Sequence, residues 1–496
     1  MWGVRRLALA ALAGSSALGV ALRTGDNATD LTLLSIREAA ALIQEGSLRA
    51  TQLVEAYLAR IDTVDERLRS FIYVARDEAL AAAAQVDKDI AAGQYRGALH
   101  GIPFGIKDLY FSGAIPTTGN SRLDWGNRTD QVAAVITNLE AAGAVLIGKM
   151  DTGEFASGTV KLYMDLPHDL AANPWDLDRF AGGSSTGPGA GVGGRTTLLA
   201  VGGDTGGSVR LPSAACGVQG LKPTFGRVSN YGAISNTWSR DCAGPIGWNV
   251  EDLGYALEAM GGYDVRDSTT VKTAPFKFDP IIPQDLSGRR VGVVNISSTD
   301  YAGLQPAMRA GIENVISLLQ DNGAEIVPTN LPSKLAEYNT VGSPISNVEF
   351  HVSNWDLIMS DPAAVGQGTR DRLSRILETT AVDYGEARKR ALEMTSELEE
   401  LFRDFEVLVL PGTFYTAGLF SKPKEISDFM LKTAMVPASI TGHPALSMRA
   451  GFDGELPLNF QMIGPLFDEA VLIRYGMFLE PLIDGVGPRR VPKVLG

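Results

Sequence analysis

Two glycine–serine clusters lie close together in the chain, Gly182-Gly183-Ser184-Ser185 and Gly206-Gly207-Ser208, with Asp204 just ahead of the second. Glycine allows backbone angles and close approaches that other residues forbid. The stretch from Asn173 to Arg227 is dense in it and is not expected to form ordinary helix or strand. The expected product is a loop where backbone N–H groups gather beside hydroxyls. Such a nest stabilises negative charge, whether a bound phosphate or the oxyanion of an acyl transfer.

Four kinds of chemistry compete for this stretch. Gly189, Gly191 and Gly194 fit G-x-G-x-x-G, but no strand runs directly into them and no acid closes a second strand, as a dinucleotide site requires. Gly183-Ser184-Ser185-Thr186-Gly187 fits the nucleophile elbow G-x-S-x-G, with Ser185 central and His351 or His443 as base. Residues 174–182 do not read as the apolar strand that leads into such an elbow. Glycine packing without chemistry leaves the second cluster and its acid unexplained. The fourth option uses a lysine. Serine is a weak nucleophile until a base takes its proton, and no histidine lies near these motifs. Upstream, Leu99-His100-Gly101-Ile102-Pro103-Phe104-Gly105-Ile106-Lys107-Asp108 sets a lysine in or beside an apolar strand, where burial would free its lone pair. A surface Lys107 paired with Asp108 is the plain alternative. In the functional case the residues are Lys107, Ser184 and Ser208, with one serine relaying a proton between the other two.

This arrangement resembles the amidase signature family of serine hydrolases. The resemblance runs from about Leu31 to Leu479, and its dense core is Gly101 to Asp252. The lysine segment is Gly101 to Asp108, the GGSS segment Gly182 to Ser185, and D-x-G-G-S-x-R spans Asp204 to Arg210. Further matches are Gly148-Lys149 with Glu154-Phe155, Gly220-Leu221-Lys222-Pro223-Thr224, and Pro457 with Gln461-Met462-Ile463-Gly464. The resemblance implies Ser208 as nucleophile, Ser184 as a bridging serine after a cis peptide bond, and a neutral Lys107 as ultimate base. It places the oxyanion hole at the amides of Thr205, Gly206, Gly207 and Ser208. Ser185 would bond around Lys107 and Ser184, while Asp204 and Arg210 brace the loop. Two features depart from the family. Thr186-Gly187-Pro188-Gly189 follows GGSS where many members have Gly-Gly, and residues 159–172, with His168, fit poorly. Proline is tolerated in a first helical turn, so the triad is expected to survive.

The elements that must hold these residues read as alternating helix and strand. Ser35 with Glu38 predicts a capped helix start. Leu53, Ala56, Tyr57 and Ile61 repeat at helical spacing. Phe71–Val74, 144–148, 290–294, 324–327 and Val407–Pro411 read as strands. Asp77–Ala92, Gln131–Ala142, Gln305–Asn322 and Asp383–Phe402 read as helices. Residues 330–380 carry no clear pattern. The expectation is an α/β fold: a single large domain over residues 29–496 with a central mixed β-sheet flanked by α-helices on both faces. Residues 1–28 resemble a signal peptide, with Arg5 and Arg6 ahead of an apolar run, and so predict export; the alternative is a plain N-terminal helix or disordered tail on a cytoplasmic protein.

Composition narrows the function. The 496 residues carry a net charge of −13, which argues against nucleic acid as a partner. Two cysteines, Cys216 and Cys242, and four histidines make a Cys/His metal site unexpected, and the cysteines read as buried small apolar residues, with a disulfide between them the alternative. The family resemblance requires no cofactor and no metal. It implies a monomer or homodimer that acts on a small-molecule amide, ester or carbamate, with aryl substrates preferred if the chain is exported. One rival is the glutaminase-type subunit of a tRNA-dependent amidotransferase. The other is a non-catalytic binding protein on the same fold.

Overall fold

The structure, a computed structural model, describes residues 30–126, 131–157, 165–485 and 490–493. The expected signal segment and residues 159–164 of the poorly fitting 159–172 stretch lie outside these. Eleven strands form one mixed sheet. They are β1 (Phe71–Val74), β2 (Pro103–Lys107), β3 (Val145–Met150), β6 (Leu199–Asp204), β7 (Gln219–Lys222), β8 (Cys242–Gly247), β9 (Arg290–Val294), β10 (Glu325–Thr329), β11 (Val407–Pro411), β12 (Ala445–Asp453) and β13 (Leu456–Ile463). A separate two-stranded ribbon holds β4 (Ala172–Asn173) and β5 (Asp176–Phe180). The sheet order is β1-β3-β2-β6-β8-β7-β12-β13-β11-β9-β10.

Topology positions the site. β3, β2 and β6 are neighbours and run parallel, so their C-terminal ends open on one edge, where ligands of open α/β sheets bind. β2 ends at Lys107, β6 ends at Asp204, and Asp151 follows β3 directly. The strands are buried along almost their whole length, as a parallel core between helices requires. The helix Ile36–Gln44 starts at Ser35 with the predicted capping box. Both cysteines are buried and free.

Two expectations are corrected here. The glycine-rich run after GGSS is not a loop: Thr186–Gly194 forms a fully buried helix. Glycine serves close packing there. A Cβ on Gly187 would lie 2.3 Å from the Asp151 amide and the Ser70 carbonyl, and one on Gly189 would lie 2.6 Å from Pro212. The unassigned 330–380 stretch also proves mostly helical, as Leu335–Ser360 and Gln367–Ser374. Its long helix contains Pro344 and alternates buried and exposed positions irregularly, which blurred the periodicity.

Lys107 is not paired with Asp108. Asp108 instead faces Lys149 of β3, with Nζ 2.9 Å from its carboxylate and both side chains fully buried. Lys149 Nζ also donates to the Tyr110 carbonyl at 2.7 Å and to Thr117 at 2.6 Å. Thr118 donates to the other Asp108 oxygen through both its amide and its hydroxyl. This ion pair holds the loop that leaves Lys107. Lys149→Met is expected to strand the Asp108 charge and destabilise the protein by about 3–5 kcal/mol. Adding Asp108→Leu should recover most of that loss, and thermal melts of the single and double variants check it.

Candidate active site

Lys107, at the end of β2, has no solvent exposure. Its Nζ donates to Ser184 Oγ at 2.7 Å and lies 3.5 Å from the Gly203 carbonyl. Burial pulls its pKa down to about 7, against the opposing pull of the Asp241, Asp204 and Asp151 carboxylates. Burial disfavours the charged ammonium because a low-dielectric surrounding replaces its hydration. Near neutral pH the amine can therefore hold a lone pair.

Ser184 lies in the turn ahead of the glycine helix, and the peptide bond between Gly183 and Ser184 is cis. The Ser184 carbonyl accepts from the Gly153 amide at 3.2 Å. The Ser185 amide donates to the Ser208 carbonyl at 3.2 Å, which ties the two clusters together. The Ser185 side chain points at β6, where its Oγ accepts from the Gly203 amide at 3.2 Å and donates to the Gly203 carbonyl at 3.3 Å, the carbonyl that also lies 3.5 Å from Lys107 Nζ.

Ser208 is half-buried, so a ligand can reach it. Among the described residues its Oγ makes no hydrogen bond to Ser184. Sites of this kind are often loose without substrate, and one rotamer change of either serine alters that separation. Asp204 organises the loop between. Its carboxylate accepts from the Gly207 amide at 2.8 Å and the Val209 amide at 3.2 Å. Arg210 meets the same carboxylate in a two-pronged contact, 3.0 Å on each side, with both side chains fully buried. Burial alone would raise the Asp204 pKa, and the guanidinium overrides it and holds the pKa low. Arg210 also reaches the Met435 carbonyl, Gln461 and Ser439, so the brace extends to the far side of the sheet.

The four expected oxyanion donors are thus not equivalent. Gly207, at φ +116°, donates its N–H to Asp204. The amides of Thr205, Gly206 and Ser208 donate to no protein group among the described residues.

Several site residues were missed in the sequence. Asp241, just before β8, accepts from Thr205 Oγ1 at 2.5 Å, from Ser235 Oγ at 2.9 Å, and from the Asn236 and Thr237 amides. Of the carboxylates acting on Lys107 it pulls hardest. The hydroxyl- and amide-rich run Ser235-Asn236-Thr237 ahead of it was the available signal. Asp151 is buried, and burial raises its pKa to about 7 although Thr186 and the Ala171 amide donate to it and Arg69 pulls it down. Arg372 comes from the unassigned stretch. Its guanidinium donates to Asn236 at 3.0 Å and sits 3.9 Å over the Phe350 ring.

The histidines stand apart. His100 lies beyond the opposite end of β2 from Lys107. The His443 ring nitrogens are taken by Thr441 and Glu399, and His351 stacks on Trp355. Among the described residues neither His351 nor His443 bonds to Ser185, so neither acts as the base of an elbow arrangement. Gly189, Gly191 and Gly194 are buried inside a helix and offer no dinucleotide cradle.

The likeness to known proteins agrees with this geometry. A family model described as Amidase matches residues 52–473. A glutamyl-tRNA(Gln) amidotransferase subunit of Chloroflexus aggregans is 33% identical over 482 residues, covering 92% of this chain and 98% of its own. The peptide amidase of Stenotrophomonas maltophilia superposes with a TM-score of 0.78 at 26% identity, over 92% of this chain and 98% of that one. The corresponding glutamyl-tRNA(Gln) amidotransferase subunit of Thermotoga maritima gives 0.76 at 27% identity, over 95% of this chain and all of that one. With the motifs, the eleven-stranded sheet and a match across most of its length, the chain belongs to the amidase signature family.

Proposed function

We propose that the protein cleaves the C–N bond of amides through an acyl ester on Ser208, with water as the final acceptor. The observation that carries this is the buried Lys107, with its pKa near 7, bonded to Ser184 at 2.7 Å beside a half-buried Ser208 and unspent loop amides. Neutral Lys107 takes the Ser184 proton as Ser184 takes that of Ser208. The Ser208 oxygen attacks the carbonyl, and the Thr205, Gly206 and Ser208 amides meet the oxyanion. The proton returns by the same relay to the leaving nitrogen, and water then opens the ester with the relay reversed. Esters and carbamates can enter the same chemistry. A fluorophosphonate probe tests the reading: an adduct on Ser208 is expected, and no adduct at pH 8 would favour a non-catalytic binding protein.

A second reading shares the acylation half. The relatives at 33% identity over 92% of this chain are amidotransferase A subunits, which favours a glutaminase that passes ammonia to a partner. Ammonia release from glutamine by the purified chain, stimulated by partner proteins and charged tRNA, would establish it. Equal release from unrelated amides without any partner would favour the free hydrolase.

A further inference from the structure

Asn236 uses the whole hydrogen-bonding capacity of its side chain on the protein itself. Its Nδ2 group donates to the Phe155 and Ala156 carbonyls at 2.9 and 3.1 Å. Its Oδ1 accepts from Arg372 Nη2 and from Thr237 Oγ1, each at 3.0 Å. A carboxamide has two N–H donors and two acceptor positions, so none is left over. The residue is 5% exposed. It joins three segments far apart in sequence: the turn that follows β3, the loop ahead of β8 and the helix Gln367–Ser374.

The turn it holds is strained. Phe155 and Ala156 carry φ of 50° and 56°, a conformation that side chains disfavour and that persists only where neighbours fix it. Asn236 binds the carbonyls of both. Glu154 fixes the same turn: its buried carboxylate accepts from the Gly366 amide at 2.9 Å and from Thr369 Oγ1. The helix Gln367–Ser374 therefore grips this wall twice, through Glu154 at its start and through Arg372 toward its end. On its other side Asn236 leads to the nucleophile's loop. The Asn236 and Thr237 amides donate to the Asp241 carboxylate at 2.9 and 3.0 Å, and the same carboxylate accepts from Thr205 Oγ1 at 2.5 Å. Ala156, Asn236, Asp241, Thr205 and Lys107 all border one small cavity.

We propose that Asn236 is a positioning residue for the Thr205–Ser208 loop: by locking the Asp241 loop onto the Phe155–Ala156 turn and onto Arg372, it fixes where the Thr205 amide points. The role rests on the acyl-Ser208 reading above. Asn236 makes no hydrogen bond to Ser208 or Lys107 among the described residues, so it acts through Asp241 and Thr205. Without its carboxamide the loop loses both carbonyls and the guanidinium at once, and Asp241 is free to shift and take Thr205 with it. A displacement of about 1 Å in a group that meets the transition state lowers a rate about 10²-fold. Binding of the ground state is unaffected by such a shift, because the oxyanion has not yet formed.

The rate at which a fluorophosphonate labels Ser208 tests this. An Oγ–P bond forms as fluoride leaves, and the phosphoryl oxygen takes the oxyanion's place. Saturation kinetics separate the inactivation rate from the binding constant. Asn236→Ala is expected to lower the inactivation rate about 30-fold or more and to leave the binding constant within about threefold. Asn236→Asp keeps the volume and the acceptor for Arg372 but loses both donations, and it should show the same split should the alanine variant unfold. Thr205→Ala cuts the same path nearer the nucleophile. The double variant Asn236→Ala with Thr205→Ala should therefore fall within about threefold of the slower single variant. The proposal is overturned by folded Asn236 variants that label within about threefold of wild type, by a loss confined to the binding constant, or by single losses that multiply in the double variant. Each variant is compared below its own melting transition, so lost stability alone moves none of these readouts. Wild-type protein that fails to label on Ser208 would instead remove the acyl-enzyme reading, and this role with it, a result distinct from labelling that ignores Asn236.

Discussion

Ser208→Ala is expected to lower amide turnover by about 10⁴- to 10⁶-fold and to abolish fluorophosphonate labelling, since removing the nucleophile leaves only binding and oxyanion stabilisation. The fold should not notice. Ser208 is half-buried, and its Oγ bonds to no protein group among the described residues, so stability should stay within about 0.5 kcal/mol. What Ser208 gives the scaffold is its carbonyl, which accepts the Ser185 amide and survives the substitution. A melt superimposable on wild type with turnover gone would separate chemistry from structure. Near-wild-type turnover would show that another group attacks.

Lys107→Met is expected to lower turnover by about 10²- to 10⁴-fold, the usual worth of a positioned base, and to change its pH profile. With the pKa at about 7, wild-type activity should fall as pH drops through 7, because protonated Lys107 cannot take the serine proton. The variant should lose that inflection. Stability moves as well. Unfolded lysine titrates near about 10.4, so between pH 7 and that value the unfolded chain holds a proton that the folded chain does not. Raising the pH through this window therefore favours the folded state, and lowering it makes the buried amine more of a burden. Lys107→Met should melt no lower than wild type at pH 6, and its advantage should shrink toward pH 10. A variant that retained the inflection near 7 would assign it to another group, with Asp151, raised to the same region, the first to examine.

The two substitutions address separate layers of one design. Arg210 and Asp204 hold the nucleophile's loop from beneath, through buried contacts that reach the far helices. Asp241 holds it from the side through Thr205. Both carboxylates also act on Lys107 and oppose the fall in its pKa. The base is thereby poised near neutrality instead of being driven far below it.

How much of this could be read in the chain differs by residue. Lys107, Ser184 and Ser208 were legible because their neighbours are unusual: glycines packed around hydroxyls, and a lysine inside an apolar run. Strands such as Val407–Pro411 and helices such as Pro306–Asp321 were legible because hydrophobic period is a local property. Three things were decided only by the tertiary structure. The glycine run became a helix packed so closely that Gly187 and Gly189 have no room for a Cβ, and local propensity has no knowledge of that packing. The Gly207 N–H turns onto the Asp204 carboxylate, which depends on the loop's curl. Asp241, Asn236 and Arg372 reached the site from segments without motif character, since a carboxylate or guanidinium acts over a few ångströms of space and not of sequence. The sequence by itself determined which groups could react. The sheet, by ending β2 and β6 side by side, determined that Lys107 is buried and that it meets Ser184.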